Sequence, residues 1–339
     1  MALDLYAIGN ALVDREYSVD EALLANCNLL KGTMQLADAS QQHALMTTLN
    51  DYTAPTGQVS GGSAANTAFA FAALGGSAFY ACRVGNDDAG DFYLTDLSSA
   101  GVQTSALSQE LGQTGTCLVM VTADGERTMH THLGISAGLS PDQVDLAPLK
   151  GAQYLYIEGY LSSSDSARQA VAVVRELARS QGTKIALSLS DPAMVQYAYD
   201  GLLELIGTGV DLLFCNEMEA LLFSKTEQLD DALQVLHRHA PLVVVTLGAK
   251  GALISQAADG NLLKLEVAAH HVAEVLDTNG AGDNFAGGFL FGMSQMLPLS
   301  DCGFLASALA AAVVGQYGPR LPRQRYAEIL ASTQPLSHT

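Results

Sequence analysis

The sequence predicts an α/β fold: a three-layer α/β/α sandwich with a mostly parallel central sheet and a small β-sheet lid. Three observations predict it. Apolar runs of strand length alternate with helical patterns over most of the chain, which implies a largely parallel sheet covered on both faces. The 339 residues are 49% hydrophobic and only 15% charged, enough apolar side chain for one sizeable core. Two regions instead carry β-type alternation with hairpin signals and do not fit into the helical layers.

Residues 3–9 read as a short strand ending in Gly9-Asn10. Residues 59–62 end in a glycine pair and run into 64–74, a helix of small side chains. Residues 78–84 read as a strand, and 88–100 as a helix closed by Gly101. The runs 154–157, 184–189, 211–214 and 242–246 are apolar and strand-like, while 167–180, 195–206, 217–223 and 230–239 have helical patterns. The exceptions are 13–19 and 33–37, together with 117–122 and 126–132 around Asp124-Gly125. They give a single domain over 1–339 with a small sheet built from two insertions, at about 11–58 and 105–135. Such a sheet needs its apolar face covered, so a lid on a monomer, a lid-mediated homodimer interface, or both remain open.

Net charge is −19, with no basic run, which argues against a nucleic-acid partner. The five cysteines (27, 82, 117, 215, 302) are scattered without Cys-x-x-Cys. They read as buried thiols in a reducing cytosol. No secretion signal and no apolar run of membrane-spanning length is visible, so a soluble cytoplasmic protein is expected.

The run Asp277-Thr278-Asn279-Gly280-Ala281-Gly282-Asp283 precedes an apolar helix. Its small residues free the amides at 280–282 to point at an anion, at a helix terminus that suits a phosphoryl group. A carboxylate beside that hole repels phosphate but serves as a base for an attacking hydroxyl. The bland alternative is a glycine-rich turn with Asp283 as helix cap. The second motif, Gly61-Gly62-Ser63-Ala64-Ala65-Asn66, stands where a strand meets a helix. It is either a tight turn or a place where a ligand approaches the backbone while Asn66 bonds its hydroxyls. There is no Gly-x-x-x-x-Gly-Lys-Ser/Thr loop, no Gly-x-Gly-x-x-Gly after the first strand and no His-Arg-Asp.

With both motifs in hand, the chain resembles the ribokinase/PfkB family of small-molecule kinases over essentially its whole length. The resemblance implies a ribokinase-like fold and transfer of a γ-phosphoryl group from ATP, with Mg²⁺, to a primary hydroxyl. It implies Asp283 as general base and the amides of Gly280, Ala281 and Gly282 as stabilisers of the phosphoryl in flight. Asn216-Glu217-Met218-Glu219 matches the family's Asn-x-x-Glu, so Asn216 and Glu219 would hold Mg²⁺ through water. Without the resemblance, that segment reads as a helix start. Thr246-Leu247-Gly248-Ala249-Lys250-Gly251 looks like the nucleotide-binding turn, with Thr246, Gly248 and Gly251 as contacts and Lys250 solvated. Asp277 and Asn279 fall where relatives place ligands of a monovalent cation such as K⁺, and the ATP base belongs around 308–314.

Gly9-Asn10-Ala11-Leu12-Val13-Asp14 sets the acceptor end. A carboxylate can take two hydroxyl bonds from a cis-diol, and the pattern resembles the adenosine-kinase branch. There the Asp (here Asp14) binds the ribose diol and the Asn (here Asn10) lies near the purine, with Gly61, Gly62 and Asn66 completing the grip. A free sugar is the alternative acceptor, as for ribokinase or fructokinase. A sugar or nucleoside sensor without phosphoryl transfer is a further one, from a different class. Fructose 6-phosphate is disfavoured, since no Lys/Arg cluster is evident for its phosphate. Phe69, Tyr160 and Tyr6 are unranked candidates to stack on a purine. Arg127, on the second lid hairpin, could close on phosphate or acceptor, while His130 and His132 read as a solvated or interfacial pair.

Overall fold

Leu5–Ile8 and Ala78–Ala81 are buried at every position, as strands inside a sheet covered on both faces must be. In the computed structural model, which describes residues 3–258 and 260–333, they lie in a nine-stranded sheet. The outer limits of the expected domain, residues 1 and 339, fall outside the described residues. The sheet runs Asn261–Val267, Ala252–Ala258, Leu242–Thr246, Leu212–Asn216, Lys184–Ser188, Tyr154–Glu158, Leu5–Ile8, Ala78–Ala81, Val102–Gln103. All pairings are parallel except those made by Ala252–Ala258 and Asn261–Val267, which form an antiparallel meander at one edge. The sequence reading did not include these two strands. Asn261–Val267 is exposed at most positions, so it carries no apolar run.

Alternate residues of each strand feed two cores. Leu5 and Ala7 join the helices Ser63–Ala73, Asp88–Ser99, Ala281–Ser294, Leu299–Val314 and Arg323–Thr333. Tyr6 and Ile8 join Asp165–Gln181, Tyr199–Ile206, Glu217–Ser224 and Leu229–Leu236. The helix expected over 195–206 is two, Pro192–Tyr197 and Tyr199–Ile206. Asp191 and Pro192 start the first of them early, and Ala198 leaves helical geometry at φ −127°. Among the described residues no helix is long and apolar enough to cross a membrane. The five cysteines are free, Cys27 partly exposed and the others buried.

The second sheet has five strands in the order Met34–Leu36, Arg127–His132, Gly115–Val121, Leu12–Ser18, Gly57–Gly61. Its first insertion therefore runs on to Gly61, which pairs with Leu12. Two helices absent from the sequence reading, Glu21–Asn26 and Ala39–Tyr52, start at Asp20 and Asp38, the latter in a capping box with Gln41. They bury Tyr17, Leu118 and Met120 under Leu24, Leu45 and Leu49. The apolar face is thus covered from within the chain. On the same side His130 Nδ1 meets Gln42 Oε1 at 2.7 Å and His132 Nδ1 meets the Ala37 carbonyl at 3.1 Å. Strand alternation turns Asp14, Glu16, Cys117, Val119 and Arg127 to the opposite face.

Candidate active site

Register pairs Ile8 with Ile157, Glu158 with Ser188, Ser188 with Phe214 and Asn216 with Thr246. The strands therefore end side by side, at the carboxyl edge where parallel sheets bind ligands. Across that edge stand Thr246, Asn216, Asp191, Glu158 and Asn10, in that order.

The helix Ala281–Ser294 begins at Gly280, whose φ is +76°. A Cβ there would sit 2.4 Å from the Pro319 carbonyl oxygen, so only glycine closes this turn. The first amide on the helical ladder is that of Asn284, which donates to the Gly280 carbonyl at 2.9 Å. The amides just before it belong to the unpaired first turn; that of Ala281 has a long 3.3 Å contact with the Thr278 carbonyl. Gly282 is exposed, with open space where a side chain would stand. Asp283 is not the cap of its own helix. Its Oδ1 accepts the Ser63 hydroxyl at 2.6 Å and its Oδ2 accepts the Asn66 amide nitrogen at 2.9 Å. Burial pushes the Asp283 carboxyl up to about 6, against the lowering effect of those two bonds and of the Arg320 guanidinium.

On the acceptor side, the Asp14 carboxylate lies so close to Gly61 that a Cβ there would be 2.4 Å from both its oxygens. Burial raises Asp14 to about 7; Arg320 and Arg127 lower it, while Asp283 and Glu16 raise it further. Gly62, at φ +101°, would drive a Cβ to 2.2 Å from the Asn10 carbonyl oxygen. As N-cap of Ser63–Ala73 it has no side chain to offer. Glu158 supplies the acceptor instead: its Oε2 takes the Ala64 amide at 2.8 Å and its Oε1 the Asn10 amide at 3.0 Å. Asn10 is held further by the Tyr80 hydroxyl on its carbonyl, at 2.8 Å, and by the Ser136 hydroxyl on its side-chain oxygen, at 3.4 Å. Asn66 is buried and commits both ends of its amide to Asp283 and Arg320. It braces the Asp283 carboxylate, where the sequence reading had it on the acceptor's hydroxyls.

Asn216 and Glu219 form a reciprocal capping box. Asn216 Oδ1 accepts the Glu219 amide at 2.8 Å, and the two Glu219 oxygens accept the Asn216 amide and side-chain nitrogen at 3.0 and 2.6 Å. Burial raises the Glu219 carboxyl to about 7, and the Asp191 charge raises it further. The Asp191 charge acts on Glu219 with no ion-paired basic group on either carboxylate among the described residues, which suits a hard divalent cation held through its water shell. Thr246 ends its strand, and the turn Gly248–Lys250 is closed by the Leu247 amide on the Gly251 carbonyl at 2.7 Å. Gly248 faces open space, while a Cβ at Gly251 would meet the Val267 carbonyl oxygen at 2.0 Å. Gly251 thus shapes the turn that Gly248 presents. Lys250 is exposed and lies 3.8 Å from Glu217.

Asp277 is buried, with the Asn279 amide on Oδ1 at 2.9 Å and the Gly318 amide on Oδ2 at 2.8 Å. The guanidinium of Arg127, reaching from the lid, forms an ion pair with the same Oδ2. The positive partner of Asp277 in this arrangement is an arginine rather than a metal ion, a donor set that does not fit the expected monovalent cation. Asn279 contributes its backbone amide to Asp277.

Three participants have no role in the sequence reading: Ser63, Glu158 and Arg320. Arg320 donates to Asn66 Oδ1 and Ser60 Oγ at 2.8 and 2.6 Å, pairs with Asp96 at 3.1 Å, and stacks over Phe69 with its Cζ 4.6 Å from the ring centre. Of the three aromatic candidates, Tyr6 is core, stacked on Phe79 with its hydroxyl on the Asp145 carbonyl. Phe69 lies under Arg320. Tyr160 alone belongs to the carboxyl edge: beyond burial, its phenol is raised by Asp191, Asp283, Glu158 and Glu219.

Comparison with known proteins agrees with this geometry. The model of the pfkB family carbohydrate kinases matches residues 31–325. An adenosine kinase from Saccharomyces cerevisiae is 27% identical over 96% of this chain and 98% of its own length. Two solved structures, an adenosine kinase from Sinorhizobium meliloti and a probable sugar kinase from Rhizobium etli, each share 34% identity and superpose with a TM-score of 0.89. Each covers 98% of this chain and 99% of the neighbour. With a family match over most of its length and a buried carboxylate beside a helix terminus, the chain belongs to the pfkB family of carbohydrate kinases and is a phosphotransferase of the sugar and nucleoside kinase type.

Proposed function

We propose that the protein transfers the γ-phosphoryl group of ATP to the primary hydroxyl of a ribonucleoside, in the manner of an adenosine kinase. The observation that carries this reading is the pair of carboxylates at one end of the site. Asp283 is held by Ser63 and Asn66 beside the helix-start amides at 280–282, and Asp14 stands on the lid within its electrostatic reach. An ionised Asp283 takes the proton of the acceptor hydroxyl as that oxygen forms a bond to the γ-phosphorus; the bond from phosphorus to the β-phosphate oxygen breaks, and ADP leaves. The amides of Gly280, Ala281 and Gly282 meet the charge that develops on the phosphoryl oxygens. Thr246 and the turn at Gly248 and Gly251 receive the donor's phosphates. Asn216 and Glu219 would hold Mg²⁺ through water, and the ion would screen phosphate charge. Asp14 accepts from the ribose diol, with Gly61 and Gly62 letting the sugar approach and Asn10 next to the base.

A free-sugar acceptor is the second reading, favoured by the likeness to the Rhizobium etli probable sugar kinase. The test is ATP turnover by the native enzyme and by Asp283→Asn, with adenosine, inosine, ribose and fructose, with and without Mg²⁺. Near-normal turnover in Asp283→Asn overturns the base assignment. Ribose or fructose outperforming both nucleosides in kcat/KM overturns the nucleoside assignment. Unchanged turnover in EDTA overturns the Mg²⁺ role.

A further inference from the structure

Asparagine presents two nearly isosteric ends, an oxygen that accepts and a nitrogen that donates. Only the donating end stabilises a carboxylate; an inverted amide would set oxygen against oxygen. Something must choose between them at Asn66, whose partner is the base Asp283. Arg320 has that property. A guanidinium carries donors only, and its Nε donates to Asn66 Oδ1 at 2.8 Å. The amide nitrogen is thereby left facing Asp283 Oδ2, at 2.9 Å.

Arg320 is itself held at Nε and Nη1, while its buried Nη2 has no hydrogen-bond partner among the described residues. Its Nη1 is held by Ser60 Oγ at 2.6 Å and Asp96 Oδ2 at 3.1 Å. Its planar group lies over the Phe69 ring and its side chain is 6% exposed. Lysine would replace the fork with a single charge on a flexible stem. We propose that Arg320 is a positioning residue of the phosphoryl transfer, acting on Asp283 by locking the orientation of the Asn66 amide. This rests on Asp283 being the base. The order Asp96, Arg320, Asn66, Asp283 resembles the way a buried carboxylate fixes a histidine tautomer in a hydrolase triad.

The test is a double-mutant cycle on kcat with Asn66→Ala, Arg320→Met and the double variant, using native enzyme and saturating ATP and acceptor. The expected result is a 10- to 100-fold loss of kcat in Arg320→Met with KM for ATP within about threefold of native. The double variant should be no worse than Asn66→Ala within about twofold. The acid limb of the kcat profile should move up in Arg320→Met. The other titratable groups facing Asp283 are Asp14, Glu158, Tyr156, Tyr160 and Tyr326, and all are intact in that variant. Multiplicative losses in the double variant overturn the proposal, because Arg320 would then act through its own field or through packing. An unchanged kcat in Arg320→Met overturns it as well. If Arg320→Met does not fold, Arg320→Lys enters the same cycle and is read by the same criterion. Full turnover in Asp283→Asn would instead sink the base assignment. Dead Asp283→Asn with a multiplicative cycle sinks the positioning role alone.

Discussion

Ser63 donates its hydroxyl to Asp283 at 2.6 Å across 220 positions of sequence. The two family motifs are therefore joined in one site. The N-terminal motif supplies the donors that favour the ionised form of the carboxylate carried by the C-terminal motif.

That contact sets the first prediction. Ser63→Ala removes a donor to the charged form, so the Asp283 carboxyl rises from its value of about 6. The acid limb of kcat/KM against pH, expected near 6 in the native enzyme, should move toward neutral pH. At pH 6 the variant should lose about tenfold, and less at pH 8. A pH–rate profile of both proteins checks it; an unmoved limb refutes it.

Stability should depend on pH in an unusual direction. Asp14, Glu158 and Glu219 are each raised to about 7 by burial, and Asp283 to about 6. Between about pH 4, where unfolded carboxyls titrate, and pH 7, the folded state binds more protons than the unfolded one. Stability from these groups is therefore lost as pH rises through that window. The melting temperature of the ligand-free protein should be higher at pH 5.5 than at pH 8, and saturating Mg²⁺ with ATP should narrow the gap. Scanning calorimetry at the two values decides the matter.

Gly62→Ala should be costly. It places a side chain at φ +101° and a Cβ 2.2 Å from the Asn10 carbonyl. Backbone strain alone costs about 1–3 kcal/mol, and the clash pushes Asn10 away from Glu158. Chemical denaturation should show a loss of at least about 2 kcal/mol, and the KM for the acceptor should rise more than that for ATP.

Arg127→Met leaves buried Asp277 without its positive partner. An uncompensated buried carboxylate is strongly destabilising, so the variant should melt earlier than native. It should also gain a response to K⁺ in turnover and melting temperature that the native protein lacks. Assays in potassium against choline chloride measure both, and equal K⁺ sensitivity in the two proteins would refute the assignment.

What could be read from the sequence was what lies in unbroken segments. The run 277–283, the Gly61-Gly62 turn and the apolar strands each announce themselves locally. The helix Glu21–Asn26 is only six residues long and Ala39–Tyr52 is mostly exposed and polar, so periodicity is faint, although Asp20 and the Asp38/Gln41 box mark their starts. Asn216 and Glu219 show a different limit: one spacing satisfies both a capping box and an ion site. Arg320 reaches its partners over 254 and 260 positions, and no local pattern encodes that. Glu158 had a usable signal, a carboxylate closing a strand that is otherwise Tyr-Leu-Tyr-Ile.

The segment around Pro319 is a brace applied from outside the motifs. The Pro319 carbonyl receives the Asn284 side chain at 2.8 Å, Arg320 clasps Asn66, and the Tyr326 hydroxyl closes on Asn284 at 2.5 Å. Asn284 follows Asp283 in the chain and Asn66 bonds its carboxylate. A stretch with no glycine-rich signature of its own therefore grips both halves of the site at once, and loosening it would slacken the two together.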